Sequence, residues 1–403
     1  MELTESPRRW CSPRPTLLET YSAFELVIAK QPTEHLETVE LFLAGDVMTG
    51  RGVDQVLPHP CNPQIYEAYA TSAMDYVRLA EKANGPIQKP MAYDDVWGDA
   101  LAELDRRHLD ARIVNLETAV TRCADALSKG INYRMSPANT EVISAAGIDC
   151  CVLANNHVLD WGRQGLLETL ATLSDARLTY VGAGEDDTSA EAPAILTIAA
   201  NTRLLIFAFA CPSAGAPRSW AAGPHKPGIS LIAGLSVETA EAVGRRIHSV
   251  ARSQDLILAS IHWGSNWGYE IPHEQMDFAH QLVDFGGVDI VFGHSSHHPK
   301  GIEVYRGKLI LYGCGDFIDD YEGITGYEAF RDDLVLMYFP TLRAADGTLV
   351  SLEMVPLKIR NMRLHRASST DAEWLASILN REGKALHTGV ELGFDGVLRL
   401  EWG

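Results

Sequence analysis

An α/β fold, with sheets covered by helices, is predicted by two patterns in the 403-residue sequence. Short apolar runs of strand length recur from Val39 onward, and segments with helical apolar spacing lie between many of them. Alternation of this kind is the mark of helices packed on sheets. A third pattern, Arg306-Gly307 between two apolar runs in IEVYRGKLILY, reads as a hairpin and mixes antiparallel pairing into the sheets.

Taken in order, residues 1–38 carry little periodicity and form an N-terminal extension with room for one strand around Glu25 to Ala29. The strand-like runs are then ELFLAG (40–45), ARIVNL (111–116), CCVLAN (150–155), LTYVGAG (178–184), RLLIFAFA (203–210), LILASI (256–261), DIVFG (289–293) and KLILYG (308–313). Helical patterns cover Arg163 to Ser174, Ser236 to Arg252 and His273 to Phe285. The stretch 60–95, rich in Ala, Tyr, Pro and Gly, reads as a helical insertion or lid. The main domain is expected over 39–340, and 341–403 reads as a strand-helix-strand segment packed on it. In that last segment the strands are placed near Leu349 to Ile359 and Val397 to Glu401, and Thr370-Asp371-Ala372-Glu373 has the spacing of a capping box that starts the helix.

Composition narrows the function classes. Hydrophobic residues at 46% and charged residues at 22% match a globular enzyme and exclude a disordered or collagenous chain. A net charge of −19 argues against nucleic acid or an anionic membrane as partner, since both need a dense basic face. The longest clean apolar run, Leu204 to Cys211, is too short for a membrane span, and the N-terminal residues show no secretory apolar stretch. Seven cysteines without a CxxC pair make a poor disulfide framework. A cytoplasmic protein with reduced thiols is expected; its oligomeric state is not legible.

The chemistry sits where the apolar runs end. LFLAG is followed by Asp46, ARIV by Asn115-Leu116-Glu117, CVLA by Asn155-Asn156-His157, LILASI by His262, and DIVFG by His294 and His297. Reactive groups of open α/β sheets gather beyond the carboxyl ends of the strands, and here five strands each deliver a metal-capable oxygen or imidazole. Singly, each has a plain alternative: Asp46 closing a turn, His262 a satisfied core histidine, Asn156 and His157 bonding loop backbone. A carboxylate at Glu117 directly after a buried strand needs a cation or donor, and GHSSHHP, with three histidines in five residues, is ligand-like. A set of carboxylate, amide and imidazole donors without thiolate favours Mn, Fe or Zn, and two such ions sharing a carboxylate can clamp a phosphoryl group and activate water.

The order GDVMTGR, NLE, ANNHVLDWG, HWG and GHSSHHPKGIEVYRGKLILYGCGDF, from about Glu40 to Phe317, resembles the CapA family, the capsule and poly-γ-glutamate synthesis proteins of the calcineurin-like metallophosphatase superfamily. The resemblance implies a four-layer α/β/β/α sandwich with mixed sheets and the metals where the two sheets meet. It implies Asp46 and His297 on a first ion, Glu117 bridging, and Asn156, His262 and His294 on a second. His157 then corresponds to the histidine that contacts the scissile group as general acid, Asp160 to its orienter, and Arg51 to an anion contact. One departure weakens the first ion site: Met48 stands where the family pattern of the superfamily has a histidine.

Three functions follow as expectations. The first is metal-dependent hydrolysis of a phosphoester or a peptide or γ-glutamyl-type bond in a small-molecule or peptide substrate. The second is a metal-independent epimerase or lyase that uses the Asp46 and histidine cluster as acid and base on a peptide or amino-acid derivative. The third is a non-catalytic role in polyglutamate or capsule assembly.

Overall fold

The computed structural model describes residues 37–198 and 202–403; the expected N-terminal strand near Glu25 lies outside them. Among the described residues, ten strands form one sheet and six form another. In the first sheet, Thr38–Val47, Ala111–Leu116, Cys150–Val152 and Thr179–Val181 run parallel side by side. Leu334–Arg343 pairs antiparallel on the other flank of Thr38–Val47 and continues into Leu349–Arg360, Leu398–Trp402 and Thr388–Leu392. In the second, Arg203–Ala210, Leu256–His262, Ile290–His294 and Lys308–Leu311 are parallel, and Ala194–Thr197 and Ile302–Tyr305 close the edges antiparallel. Both sheets are therefore mixed.

Side-chain alternation fixes the layers. Along Arg203–Ala210, Leu204, Ile206, Ala208 and Ala210 join the core that also contains Leu41, Leu43 and Val114 of the first sheet. Their neighbours Leu205, Phe207 and Phe209 point the other way, against Val243 and Ile247 of helix Val237–Val250 and Phe278 and Leu282 of helix His273–Gly286. A strand buried on both faces must be apolar at every position, which is why RLLIFAFA reads as an unbroken run. Helices Asp99–Asp105 and Gly162–Asp175 join the first sheet's core through Leu104, Leu166, Leu170 and Leu173. The order helix, sheet, sheet, helix is an α/β/β/α sandwich.

Local chemistry sets the boundaries. Ser236 Oγ accepts the Thr239 N–H and starts helix Val237–Val250. The hairpin turns on Arg306 and Gly307, both with positive φ (50° and 76°), the pair a tight two-residue turn requires. The helix Ser369–Gly383 begins earlier than its sequence pattern suggested: Ser368, not Thr370, accepts the Asp371 N–H, so the cap lies two residues upstream of the box. Leu334–Arg343 has no helical or alternating period, and its place as a strand comes from burial between two neighbours. The stretch 60–95 carries helix Met74–Asn84, which seats Tyr76 and Ala73 in a small cluster with Ile65 and Ala70. Among the described residues no helix is long and apolar enough to cross a membrane.

Candidate functional site

The carboxyl ends of the parallel strands of both sheets converge on one cleft. His262 and His294 are register partners at the ends of adjacent strands. Asp46 ends Thr38–Val47 and pairs in register with Asn115 on one side and Asp316 on the other. A bulge at Gly45 makes this three-way pairing fit. Asp46 N–H donates to Gly315 O at 3.0 Å, and a Cβ on Gly45 would lie 1.9 Å from that same oxygen. Only glycine permits the approach.

The polar groups face each other at short range. His262 Nδ1 lies 2.8 Å from His294 Nδ1, and His262 Nε2 is 3.0 Å from Asn156 Oδ1 and 3.6 Å from Glu117 Oε1. Asp46 Oδ1 accepts from Asn115 Nδ2 at 2.7 Å and lies 3.8 Å from His294 Nδ1. His297 Nδ1 sits 3.0 Å from Asp316 Oδ1. Two overlapping groups, Asp46 with His262 and His294, and Asp46 with His297 and Asp316, have donor atoms close enough to share an ion. The loop between the histidines is strained, with Ser295 at φ 105°, and its N–H donates to Asp46 Oδ2 at 3.3 Å.

Burial sets the charges. Asp46 is pushed up to about 7 by burial and by Asp316. Glu117 is raised well above the usual carboxylate range by burial and by Asp46, and Asp316 by burial and by Asp332. The imidazoles move the other way: His294 falls to about 3 and His297 to about 4, both by burial, and His262 is held well below its ordinary value by burial and by His294. Neutral imidazoles and closely packed carboxyls are the donors that a divalent cation takes. Asp316 Oδ2 is buried with no hydrogen-bond partner, an orphaned acceptor that fits a cation ligand.

His157 stands at the mouth of this cluster, its Nε2 3.9 Å from Glu117 Oε1. Its Nδ1 lies 2.7 Å from Asp160 Oδ2, and Tyr133 stacks on the ring at 3.8 Å. Lys129 Nζ donates to Asp160 Oδ1 at 2.7 Å and to the Asn156 carbonyl. Burial holds His157 down at about 4 despite Asp160. The cleft in front measures about 300 Å³ and is lined by Glu117, Lys129, Asn156, His157, Trp267 and Asp332, among others.

The structure thus brings Asp46, Glu117, Asn156, His157, Asp160, His262, His294 and His297 together. Arg51 stands behind the cleft wall. The residue is 3% exposed; its guanidinium bonds Asp320 through Nε and Nη2 and Glu67 through Nη1 at 2.9 Å, stacks on Tyr76, and lies 5.0 and 5.6 Å from the Tyr133 and Tyr321 rings that line the cleft, so it backs the cleft wall and does not itself line the cleft as an anion contact would. Met48 is buried beside the site, and its N–H donates to Ile318 O. His298, the third histidine of the loop, turns its Nδ1 to the Pro299 carbonyl and stacks on Phe330. Trp263 is walled in, its indole N–H on Tyr312 O, whereas Trp267 lines the cleft.

Sequence reasoning passed over Asp316 and Lys129. Asp316 carried the signal used for the others, a polar residue after an apolar run (KLILYG), but Cys314 and Gly315 stand between the run and the carboxylate. Lys129 carried none, because its segment has no period.

The family model for bacterial capsule synthesis protein PGA_cap matches residues 40–321. A probable polyglutamine synthesis accessory protein of Mycobacterium tuberculosis is 47% identical over 90% of this chain and 96% of its own length. The capsule biosynthesis protein CapA of Bacillus anthracis is 24% identical over 82% of this chain and 71% of its own. Among solved structures, a phosphatase from Mycoplasma pneumoniae overlays with a TM-score of 0.43 at 11% identity, over 80% of this chain and 94% of that one.

Proposed function

The chain belongs to the bacterial capsule synthesis protein PGA_cap family, and from that premise we propose that it is a metal-dependent hydrolase of a phosphoester or a peptide or γ-glutamyl-type bond. The observation that carries the reading is the convergence of buried carboxylates and neutral imidazoles at the ends of both sheets. Asp46, His297 and Asp316 would hold one ion, Asn156, His262 and His294 a second, with Glu117 between them. In this arrangement Asp316 contributes the donor that Met48 does not.

The donor set is oxygen and nitrogen without thiolate, which suits Mn, Fe or Zn. Such ions supply Lewis-acid polarisation of a phosphoryl or carbonyl oxygen and a lowered pKa for water. The chain's own residues do the rest. Asp160 takes the Nδ1 proton of His157 in a hydrogen bond and so fixes Nε2 as the atom that exchanges a proton with the substrate. Lys129 holds the Asp160 carboxylate and the Asn156 carbonyl in place. Ser260 Oγ, 2.6 Å from His294 Nε2, orients that ring so that Nδ1 faces the cluster.

A second reading is favoured by one observation. Asp46, pushed up to about 7, stands beside imidazoles that are neutral at the same pH. That pairing of a weak acid with bases also suits proton removal and return at an acidic carbon without metal. A third reading, an assembly role without catalysis, follows from what the mycobacterial relative is called.

Metal content, measured by mass spectrometry on untagged protein and on His262→Ala, decides between them. About two equivalents of Mn, Fe or Zn, reduced in the variant, support hydrolysis. Protein that stays metal-free after incubation with these ions overturns it and gives the acid/base reading first place. Turnover in a screen of phosphoesters and peptides then separates an enzyme from an assembly factor.

A further inference from the structure

The cleft does not end at Tyr321. Beyond it lies a second cavity of about 240 Å³, and Tyr321, Ile324 and Asp332 line both spaces. The lining of this cavity is acidic. Several of its acids already have partners: Asp333 pairs with Arg331 and Lys358, and Glu322 accepts the backbone N–H groups of Asn361 and Met362. Arg331 is likewise committed, to Asp333 and Asp371.

Asp319 is different. It lines the cavity and is 2% exposed; its Oδ1 accepts the Tyr321 N–H at 2.8 Å, and its Oδ2 is buried with no hydrogen-bond partner. Burial and the neighbouring Asp316 push this carboxyl well above the usual carboxylate range, and a buried carboxyl oxygen without a partner is costly unless a ligand supplies a donor, which would also draw the group to its charged form. Asp332, half-buried on the shared wall, also has no basic side chain paired with it among the described residues. On the cleft side, Trp267 and Tyr327 stack with centroids 4.0 Å apart, an aromatic surface of the kind that attracts cations.

Two kinds of cation fit an acidic cavity, and the geometry separates them. A divalent ion needs oxygens near enough to share bonds of about 2.0–2.6 Å. The groups that meet such a limit here are centred on Asp46, and Asp319 and Asp332 belong to neither. A nitrogen cation reaches further, through N–H···O bonds of about 2.7–3.2 Å. The net charge of −19 favours the approach of a positive ligand over a long polyanion.

We propose that the Asp319–Asp332 cavity receives a primary ammonium group of the substrate while the bond to be broken lies in the adjoining cleft. The substrate class is then an amine-bearing ester or amide, an inference that rests on the hydrolytic reading given above. The ammonium donates to Asp319 Oδ2 and Asp332, and Trp267 and Tyr327 flank the chain that joins it to the reacting bond.

The test is a titration of the full-length protein with n-butylammonium chloride and with n-butanol, followed by saturation-transfer NMR at constant ionic strength. The same titrations are run on Asp319→Asn and Asp332→Asn, whose melting curves establish that they fold. The expected result is saturable amine binding about tenfold or more tighter than that of the alcohol, weakened about tenfold in each variant, equal to ~1.4 kcal/mol. Equal binding of amine and alcohol, or variants indistinguishable from the parent, overturns the proposal. So does a further equivalent of divalent metal that Asp319→Asn removes. Metal content of the same samples keeps the two readings apart: amine binding without bound metal sinks the hydrolase and leaves the ammonium site, and two bound ions without amine binding do the reverse.

Discussion

Asp160 grips His157 and Lys129 with the two oxygens of one carboxylate, Oδ2 at 2.7 Å from His157 Nδ1 and Oδ1 at 2.7 Å from Lys129 Nζ. The Tyr133 N–H adds a third bond to Oδ2 at 2.7 Å. A histidine held this way has one free nitrogen, and its orientation depends on a charge that is itself fully buried.

Asp160→Asn keeps the shape and removes the charge. Turnover is expected to fall about 10–100-fold with metal content unchanged. Long-range ¹H–¹⁵N NMR of the His157 ring supplies a second readout: the Nδ1-protonated tautomer should lose its dominance. An unchanged ring spectrum would deny Asp160 this role.

Asp316→Ala removes one oxygen donor from the Asp46–His297 group and leaves the Asn156–His262–His294 group complete. Loss of one equivalent of metal and retention of the other is expected by mass spectrometry. Loss of both, or of neither, contradicts the assignment of Asp316 to a single site.

Gly45→Ala drives a methyl into the Gly315 carbonyl, 1.9 Å away, so the two strands must part where Asp46 pairs with Asp316. Overpacking of this kind costs about 1–3 kcal/mol, and the displaced Asp46 should lower metal affinity as well. Gly234→Ala meets nothing within 4 Å and serves as the neutral comparison, expected within about 0.5 kcal/mol of the parent in urea denaturation.

Asp320→Ala leaves Arg51 charged and 3% exposed with Glu67 as its remaining carboxylate. Breaking a buried pair from one side costs about 3–5 kcal/mol, read as a lower urea midpoint. Because Arg51 backs the Tyr133 and Tyr321 rings of the cleft wall, the turnover of whatever protein remains folded is expected to fall as well.

Asp395 is held down at about 2 by its hydrogen bonds with Arg399 across an exposed turn. A carboxylate depressed in the folded state stabilises it above the unfolded value near 4 and loses that contribution as pH falls through about 2. An NMR titration of its Cγ should show the low midpoint, and Arg399→Ala should return it to the ordinary range.

Much of the site is legible in the sequence because its residues follow apolar runs, and a strand's end is where its next polar side chain is exposed to the sheet edge. Asp46, His262 and His294 were readable for that reason. Arg51 was not: its partners Glu67 and Asp320 come from distant loops, so GDVMTGR displays a free cation that the fold then buries. Lys129 lies 28 positions from His157 in an irregular segment, and no local period marks such an encounter. The strand Leu334–Arg343 escaped for a related reason, since a run buried between two neighbours lacks alternation and carries Pro340 within it.

The proposed donors begin at Asp46 and end at Asp316, and they belong to two different sheets. A chain that stops short of Asp316 lacks one donor of the proposed Asp46–His297 group, so that group can form only after a long loop has closed. With the proposed ions bound, a chelator would act on the whole molecule. By removing ions that the folded sandwich would bind, it would lower the temperature at which the sheets come apart.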